Sequence, residues 1–339
     1  MASKTVGIDL AKHVFQLHGV DEIGNVFLRK RTRRDKLLET VAQLEPCVIG
    51  IEACTSSYFW AREFERFGHT VRIISPQYAK PFRRNQKNDG NDAEAICIGV
   101  MQPNMRFVPQ RSIEQQDVQM LHRARRRLVN NRTAVSSQIR GFLADRGIAF
   151  ARNIAQTRKQ IPGILEDAEN GLTASARETI AELFDLLRSL DERIANFDRR
   201  IDLAFRASEP AQRIARIEGV GPKIATAVVA AVGDGREFDN GRHMPAWLGL
   251  VPRQHSSGDR TQLFGISKRG DQQLRTLIVH GARAVVRTAA RKSDPKSTWV
   301  NNLRERRGFN KTVIAVANKN ARIMWAVLRR EEPYRRSTA

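Results

Sequence analysis

The chain has 339 residues, with 58 Lys and Arg against 36 Asp and Glu, and so carries a formal charge of +22. Its length suits two or three domains and its 41% hydrophobic residues supply a sizeable core, which argues against intrinsic disorder or a fibre. The longest apolar run, residues 224–232, is about half of a membrane span, the opening MASKTVGIDL lacks an apolar signal core, and three cysteines (Cys47, Cys54, Cys97) show no metal or disulfide spacing; a reducing cytoplasm is expected.

The first hundred residues read as α/β. The runs TVGIDLA, HVFQLHGV and NVFLRKRT are short, apolar or alternating, and broken by turn formers, which predicts a three-strand meander. An amphipathic stretch (35–44), an apolar run (47–51), a helical stretch (58–67) and a second apolar run (70–74) follow. Strand, helix, strand, helix, strand implies parallel pairing after the meander. Residues 80–87 are polar and basic and are expected to form a loop over the sheet edge.

Asp9 closes the first strand run and Glu52 the fourth. If those strands are adjacent and parallel, their C-terminal ends meet and the two acids converge. Asp89 and Asp92 lie three apart, on one face at the start of a helix through residues 93–101. Four carboxylates at one edge repel one another, and divalent cations relieve that repulsion while activating a nucleophile and stabilising a leaving oxygen. Taken singly, Asp89 and Asp92 also suit a helix N-terminus and Asp9 a turn cap.

From about residue 111 the texture becomes helical. Leu183, Leu187, Leu190, Ile194, Phe197, Ile201 and Ala204 alternate spacings of four and three, a heptad seam that predicts a coiled coil or helical hairpin. An earlier seam of Val118, Leu121, Leu128, Val135, Ile139 and Phe142 keeps that spacing only with Arg125 and Arg132 at core-type positions, where they snorkel or face an anion. Gly147, Pro162 and Gly163 are expected to supply the reversal between seams. The seams serve internal packing or oligomerisation.

After residue 210 a compact, mainly helical region is expected. Ile217-Glu-Gly-Val-Gly-Pro-Lys223 resembles a helix-hairpin-helix element in which Gly219 and Gly221 allow a tight turn whose amides, with Lys223 beside them, take a nucleic-acid phosphate. Next, Ser256 and Ser257 precede Gly258 in a loop with Arg253, His255, Arg260, Lys268 and Arg269 nearby, a cationic setting that draws a phosphodiester. A serine needs a base or a metal to take its proton, and no Asp-His-Ser order accompanies this one. Residues 260–339 hold 19 Lys and Arg against 5 Asp and Glu, +14 of the total charge, which points to a polyanionic partner with backbone-dominated binding.

Taken together, Gly7-Ile-Asp9 with Ala11-Lys12, Ile51-Glu52-Ala53, Asp89-x-x-Asp92-Ala93, Gly219-Val-Gly221, Gly249-Leu-Val-Pro-Arg253, Ser257-Gly258 and Ser267-Lys-Arg-Gly270 through Leu274-Arg275 resemble the DEDD transposases of bacterial insertion sequences, the IS-one-ten family of bridge-RNA-guided recombinases. The resemblance covers nearly the whole chain. It implies a RuvC-like domain of RNase H fold (1–110) whose Asp9, Glu52, Asp89 and Asp92 bind Mg²⁺ or Mn²⁺, a helical coiled-coil region (111–207), and a mainly helical transposase domain (208–339) with the helix-hairpin-helix element. It also implies that Ser257 attacks DNA and becomes covalently joined to it, with Ser256 as the rival, and that Gly219, Gly221, Lys223, Arg253, Arg260, Lys268 and Arg269 contact nucleic acid. Partners implied are donor and target DNA, a structured guide RNA, and further copies of the chain in a dimer or tetramer with sites shared between protomers, in a nucleoid-associated bacterial cytoplasm. Cys54 and Ser56 stand where relatives often have Thr and Gly. Two other readings stay open: a metal-only Holliday-junction resolvase without a covalent intermediate, and a non-catalytic nucleic-acid binder.

Overall fold

The computed structural model describes residues 4–83, 88–258 and 260–335, and the chain divides into two compact units, Met1–Arg111 and Ser112–Ala339. The far end of the basic loop (84–87), Asp259 between the serines and Arg260, and the last tail residues (336–339) lie outside the described residues.

In the first unit, β1 (Thr5–Asp9), β2 (Val14–Val20) and β3 (Val26–Arg33) form the antiparallel meander. Its second turn is built by Asp21, whose carboxylate accepts the amides of Ile23 and Asn25, while Gly24 takes a positive φ of 93°. The chain continues through α1 (Leu37–Ala42), β4 (Val48–Glu52), α2 (Ser57–Glu65), β5 (Thr70–Ile74), α3 (Pro76–Ala79), α4 (Asp89–Met101) and β6 (Phe107–Val108). The sheet order is β3-β2-β1-β4-β5-β6, with β1, β4 and β5 mutually parallel and β6 antiparallel at the edge. Val6 and Ile8 of β1 join Phe15, Ile49, Ile51, Trp60 and Phe64 in a core under α1 and α2. The opposite face is covered by α4. There Gly7 and Gly50, paired in register, leave room for it: a Cβ on Gly7 would sit 2.2 Å from the Ala93 carbonyl, and one on Gly50 2.8 Å from the Val100 side chain. The α4 helix therefore rests on the sheet nearly backbone to backbone.

The second unit opens with α5 (Ile113–Ala144), α6 (Ile154–Glu166) and α7 (Ala174–Arg206). Capping is explicit in the sequence: Ser112 and Gln115 form a reciprocal capping box on α5, and Thr173 caps α7. The helices α5 and α7 pack antiparallel, as the pairs Arg125–Asp198 and Arg132–Asp191 require. Leu187, Leu190, Ile194 and Ile201 of the α7 seam are buried, and the other seam positions are half-buried. The anions faced by the two seam arginines are thus carboxylates of this same chain. Two expectations change here. Phe142 is exposed and Leu143 buried in its place, because a straight helix drifts off a strict seven-residue repeat. The residues Pro162 and Gly163 lie inside α6 instead of at a reversal, since burial of Thr157 and Ile161 on the hairpin holds that helix through the one hydrogen bond the proline forfeits.

Beyond the hairpin come α8 (Glu209–Ala215), α9 (Pro222–Val232), α10 (His243–Trp247), the two-stranded β7 (Pro252–Ser257) and β8 (Arg260–Ile266), then α11 (Gln272–Thr288), α12 (Pro295–Arg307) and α13 (Phe309–Arg330). Ile214, Ala225, Val228, Met244, Leu248, Ile278, Val313 and Met324 form their shared core. The α5 helix is tied to α9 by polar contacts: Gln119 donates to the Ala230 carbonyl at 2.6 Å, and the buried His122 Nε2 lies 2.9 Å from the Thr226 hydroxyl. Among the described residues no helix is long and apolar enough to cross a membrane.

Candidate functional site

Asp9 and Glu52 follow directly on the Ile8–Ile51 register pair, so they end adjacent parallel strands at one edge of the sheet. The α4 helix runs opposite to β1: Ala93 meets Gly7, while the Cys97 thiol, one turn on, reaches the Thr5 carbonyl. Its first turn, with Asp89 and Asp92, therefore lies toward the end of β1 that carries Asp9. Asn88 caps this helix through the Asn91 amide, which fixes where the two acids project. The expected mutual repulsion is met in part by a residue the sequence did not single out: Arg83 donates to Asp92 at 3.2 Å, with both side chains largely covered. Among the described residues no three His, Cys, Asp or Glu side chains are gathered closely enough to hold a metal ion. The strands and α4 bring the four carboxylates to one end of the sheet without closing them on a single point. Their oxygen-only donor set is the kind that hard divalent cations take.

The serines stand on a β-hairpin and not in a loop. Every residue of β7, and all of β8 except Ile266, is exposed. In an antiparallel pair, directly opposed residues share a face and successive ones alternate. Ser257 opposes Arg260 and shares its face with the His255–Gln262 pair, whereas Ser256 opposes Thr261 and accepts a hydrogen bond from Gln254 at 2.7 Å. The two serines thus lie on opposite faces of the hairpin, Ser257 on the face that carries Arg260 and His255 and Ser256 on that of Gln254 and Thr261. Arg253, at the start of β7, lies over the Phe264 ring.

The hairpin is seated by a clasp made of the motif residues around it. Gly249 and Gly270, at φ of 72° and 79°, let two chain segments touch: a Cβ on Gly249 would sit 2.2 Å from the Arg269 carbonyl, and one on Gly270 2.0 Å from that of Trp247. The buried Arg275 donates to the Leu248 and Arg269 carbonyls at 3.1 and 2.9 Å, and Asp271 caps α11 through the Leu274 amide. Lys268 takes an unusual positive φ of 55° to make the turn, and its side chain and that of Arg269 are exposed.

At the glycine hairpin, residues distant in the chain supply the packing and ion-pair partners. Gly219, at φ 83°, faces α11 instead of solvent: its carbonyl would lie 1.9 Å from a Cβ on Gly281, so its role is close packing. The Lys223 ammonium is paired with Asp198 at 3.0 Å, alongside Arg125, and remains partly exposed. Gly221 caps α9 in an extended conformation and is exposed. Arg125 is committed to Asp198, but its neighbours Arg126 and Arg127 join Arg123 in a cleft of about 410 Å³ beside the N-terminus of α11.

Known proteins bear on both regions. Residues 6–146 match the model of DEDD-type transposases of the IS110 group, and residues 211–296 that of the transposase IS116/IS110/IS902 family. The chain is 48% identical to a "Probable family 20 transposase" of Pseudomonas aeruginosa, over 97% of this chain and 98% of that protein. The chain belongs to the IS110 family of transposases. The transposase for insertion sequence element IS1111A of Coxiella burnetii is 44% identical over 98% of this chain and 91% of its own length. That for IS1328 of Yersinia enterocolitica is 38% identical over 95% and 96%. This transposase therefore acts in the transposition of an insertion sequence, with DNA as its substrate, and its DEDD-type domain suggests dependence on a divalent metal.

Proposed function

We propose that this transposase is an RNA-guided site-specific recombinase that cuts and rejoins DNA through Ser257, assisted by Mg²⁺ or Mn²⁺ at Asp9, Glu52, Asp89 and Asp92 of an RNase H-like, RuvC-type domain. The observation that carries the reading is the pairing of two chemistries in one chain. One is the placement of acid-tipped β1 and β4 and the acidic first turn of α4 at one end of the sheet. The other is an exposed serine on the same hairpin face as Arg260 and His255. A bound divalent ion would supply charge stabilisation at the phosphate and ease proton loss from the attacking hydroxyl. For all four carboxylates to act together, Arg83 has to release Asp92, which makes that arginine a placeholder for the cation.

The Ser257 Oγ forms a bond to phosphorus while the bond from phosphorus to a deoxyribose oxygen breaks, and the hydroxyl proton ends on that leaving oxygen. Arg260, and Arg253 further along the strand, offset the charge that develops on the phosphoryl oxygens. The serine ester retains the phosphodiester's energy, so attack by a free DNA hydroxyl rejoins strands without an outside energy source. Lys268 and Arg269, exposed at the clasp, and Arg126 and Arg127 hold nucleic-acid backbones, which gives affinity without sequence preference; a guide RNA from the element would supply sequence by base pairing. Higher assembly, as a dimer or tetramer, is part of the same reading, as is action at the nucleoid.

One observation favours a second reading. Ser257 has no hydrogen-bonded base among the described residues, which would suit a resolvase-like nuclease in which water attacks. The deciding experiment incubates the protein with its reconstructed element and flanking RNA, then denatures and extracts. A protease-sensitive protein–DNA adduct should appear with the parent and with Ser256→Ala, and vanish with Ser257→Ala and in EDTA. Cleavage without adduct in every case would establish water as the nucleophile.

A further inference from the structure

A large concavity of the second unit lies on the outer face of α13, with residues 240–242 and Leu250 on its other side. It is an open groove of about 1290 Å³, larger than the roughly 300–1,000 Å³ of small-molecule pockets. Its residues on α13 run from Lys311 to Arg330, which at 1.5 Å per residue is about 28 Å of helix. A metabolite would leave most of that length empty; an extended chain would fill it.

The lining chemistry is unusual for a surface groove. Lys311, Arg322 and Arg330 project from α13, Arg242 faces them from the turn before α10, and among the described lining residues Glu332 is the sole acid. None of those four cations makes an ion pair among the described residues, although this chain pairs many of its other arginines. Unpaired like charges on one face raise its potential and favour an anionic occupant.

Aromatic rings interleave with them. The α12 ring of Trp299 has the Lys319 ammonium 4.3 Å from its centroid, Trp325 is fixed by donating to the Gly235 carbonyl at 3.1 Å, and Tyr334 returns from the C-terminal segment to close the far wall. Two glycines leave room for the Trp325 ring: a Cβ at Gly241 or Gly235 would come within 3.0 or 3.2 Å of it. Half-buried Ile314, Ala315 and Ile323 give an apolar floor between the cations. Rings and cations alternating along an open track are what a polynucleotide needs when its bases are unpaired, because only an unstacked base presents a face to a side chain; a duplex offers phosphates alone.

From this we propose that the α13 groove is a binding track for a single-stranded segment of nucleic acid, with Lys311, Arg322 and Arg330 on the phosphates and at least one base against the Trp299 or Tyr334 ring. The track rests on the nucleic-acid partnership of the preceding section but not on its serine chemistry. It serves strands that are unpaired when bound, whether the loops of a structured RNA or DNA opened during exchange.

The test measures equilibrium binding of the full-length protein to fluorescent 15-mers, single-stranded RNA and DNA of one sequence and the matching DNA duplex, across salt. Lys311→Glu with Arg322→Glu should weaken single-strand binding at least tenfold while changing duplex binding less than twofold. Loss of two phosphate contacts should also reduce the single-strand salt slope by about 1.4, at about 0.7 per contact. Ultraviolet cross-linking of the parent should place the single strand on peptides containing Trp299 or Tyr334. The RNA and DNA arms separate the two sources by relative affinity. Equal losses for single strand and duplex, or cross-links confined to other surfaces, overturn the proposal. Because no cleavage is measured, failure here leaves the Ser257 adduct experiment untouched, and failure of that adduct leaves the track standing.

Discussion

Replacing Gly281 by alanine tests how α11, and with it the seat of the serine hairpin, is held. A Cβ at that position would lie 1.9 Å from the Gly219 carbonyl oxygen and 2.7 Å from the Ile224 methyl. The oxygen belongs to backbone held by the Gly219 turn, so α11 has to retreat by an ångström or more. A gap of 0.5–1 Å already forfeits about a quarter to a half of each dispersion contact, and Leu274, Ile278, Ala282 and Val286 of α11 are all buried in the same core. Overpacking of this kind costs about 1–3 kcal/mol or somewhat more, against about 1 kcal/mol gained from better helix propensity. A net loss of about 1–2 kcal/mol is expected, or about 2–8 °C in melting temperature for a unit of this size. Calorimetry or circular dichroism with the parent reads it directly. Gly141→Ala in α5, with nothing within 4 Å of its added methyl, is the control and should raise the melting temperature slightly. A Gly281→Ala protein that melts at or above the parent temperature would refute the close-packing account.

Four further outcomes are expected. Burial lowers the His122 pKa to about 4, below its unfolded value near 6.5. The folded state thus binds fewer protons in between, so stability is full above about pH 6.5 and falls as pH drops toward 4, by up to ~3 kcal/mol. Urea midpoints for the parent and for His122→Gln should show that slope only in the parent. Leu190→Asp or Ile194→Asp places an unpaired charge where α5 already covers the seam, so denaturation curves should show the second unit destabilised by several kcal/mol, and dissociation without unfolding would show that the seam also joins protomers. Asp9→Asn or Glu52→Gln should abolish strand cleavage in a recombination assay while shifting the melting temperature by no more than a few degrees. Burial raises the thiol pKa of Cys47 and Cys97 to about 11, so an alkylating reagent at pH 8 followed by mass spectrometry should label the exposed Cys54 first.

Much of the first unit was legible because its signals are local: strands of five to eight residues bounded by turn formers, and acids ending two of them. The position of α4 was not, since it depends on Gly7 and Gly50, which look like ordinary strand glycines until the helix is known to lie on them. Arg83 was equally silent in the sequence, as nothing in a basic run marks the one member that reaches an acid nine residues on. The heptad seam announced a helix pair, but periodicity cannot say whether its partner is in the same chain; Asp191 and Asp198, spaced seven apart like Arg132 and Arg125, were the available clue. The serine segment was read as a loop because its strands carry polar residues on both faces, and a hairpin that buries neither face leaves no alternation to find. The partners that Lys223 and Gly219 have within the chain, Asp198 and Gly281, are distant in sequence and leave no local pattern to read.

The clasp beneath the serine hairpin joins two short segments to each other, Gly249 with Arg269, Gly270 with Trp247 and Arg275 with Leu248 and Arg269, and joins both to the helical core, where Leu248, Leu250 and Leu274 are buried and Asn318 of α13 donates to the Leu250 carbonyl. The segment is in that respect a fitting whose socket is the helical core. Its outer strands can be exchanged for those of a relative while the two glycine-bearing corners, Arg275 and the core beneath them stay in place, whereas a graft of the hairpin alone into another protein would arrive with nothing to hold its angle.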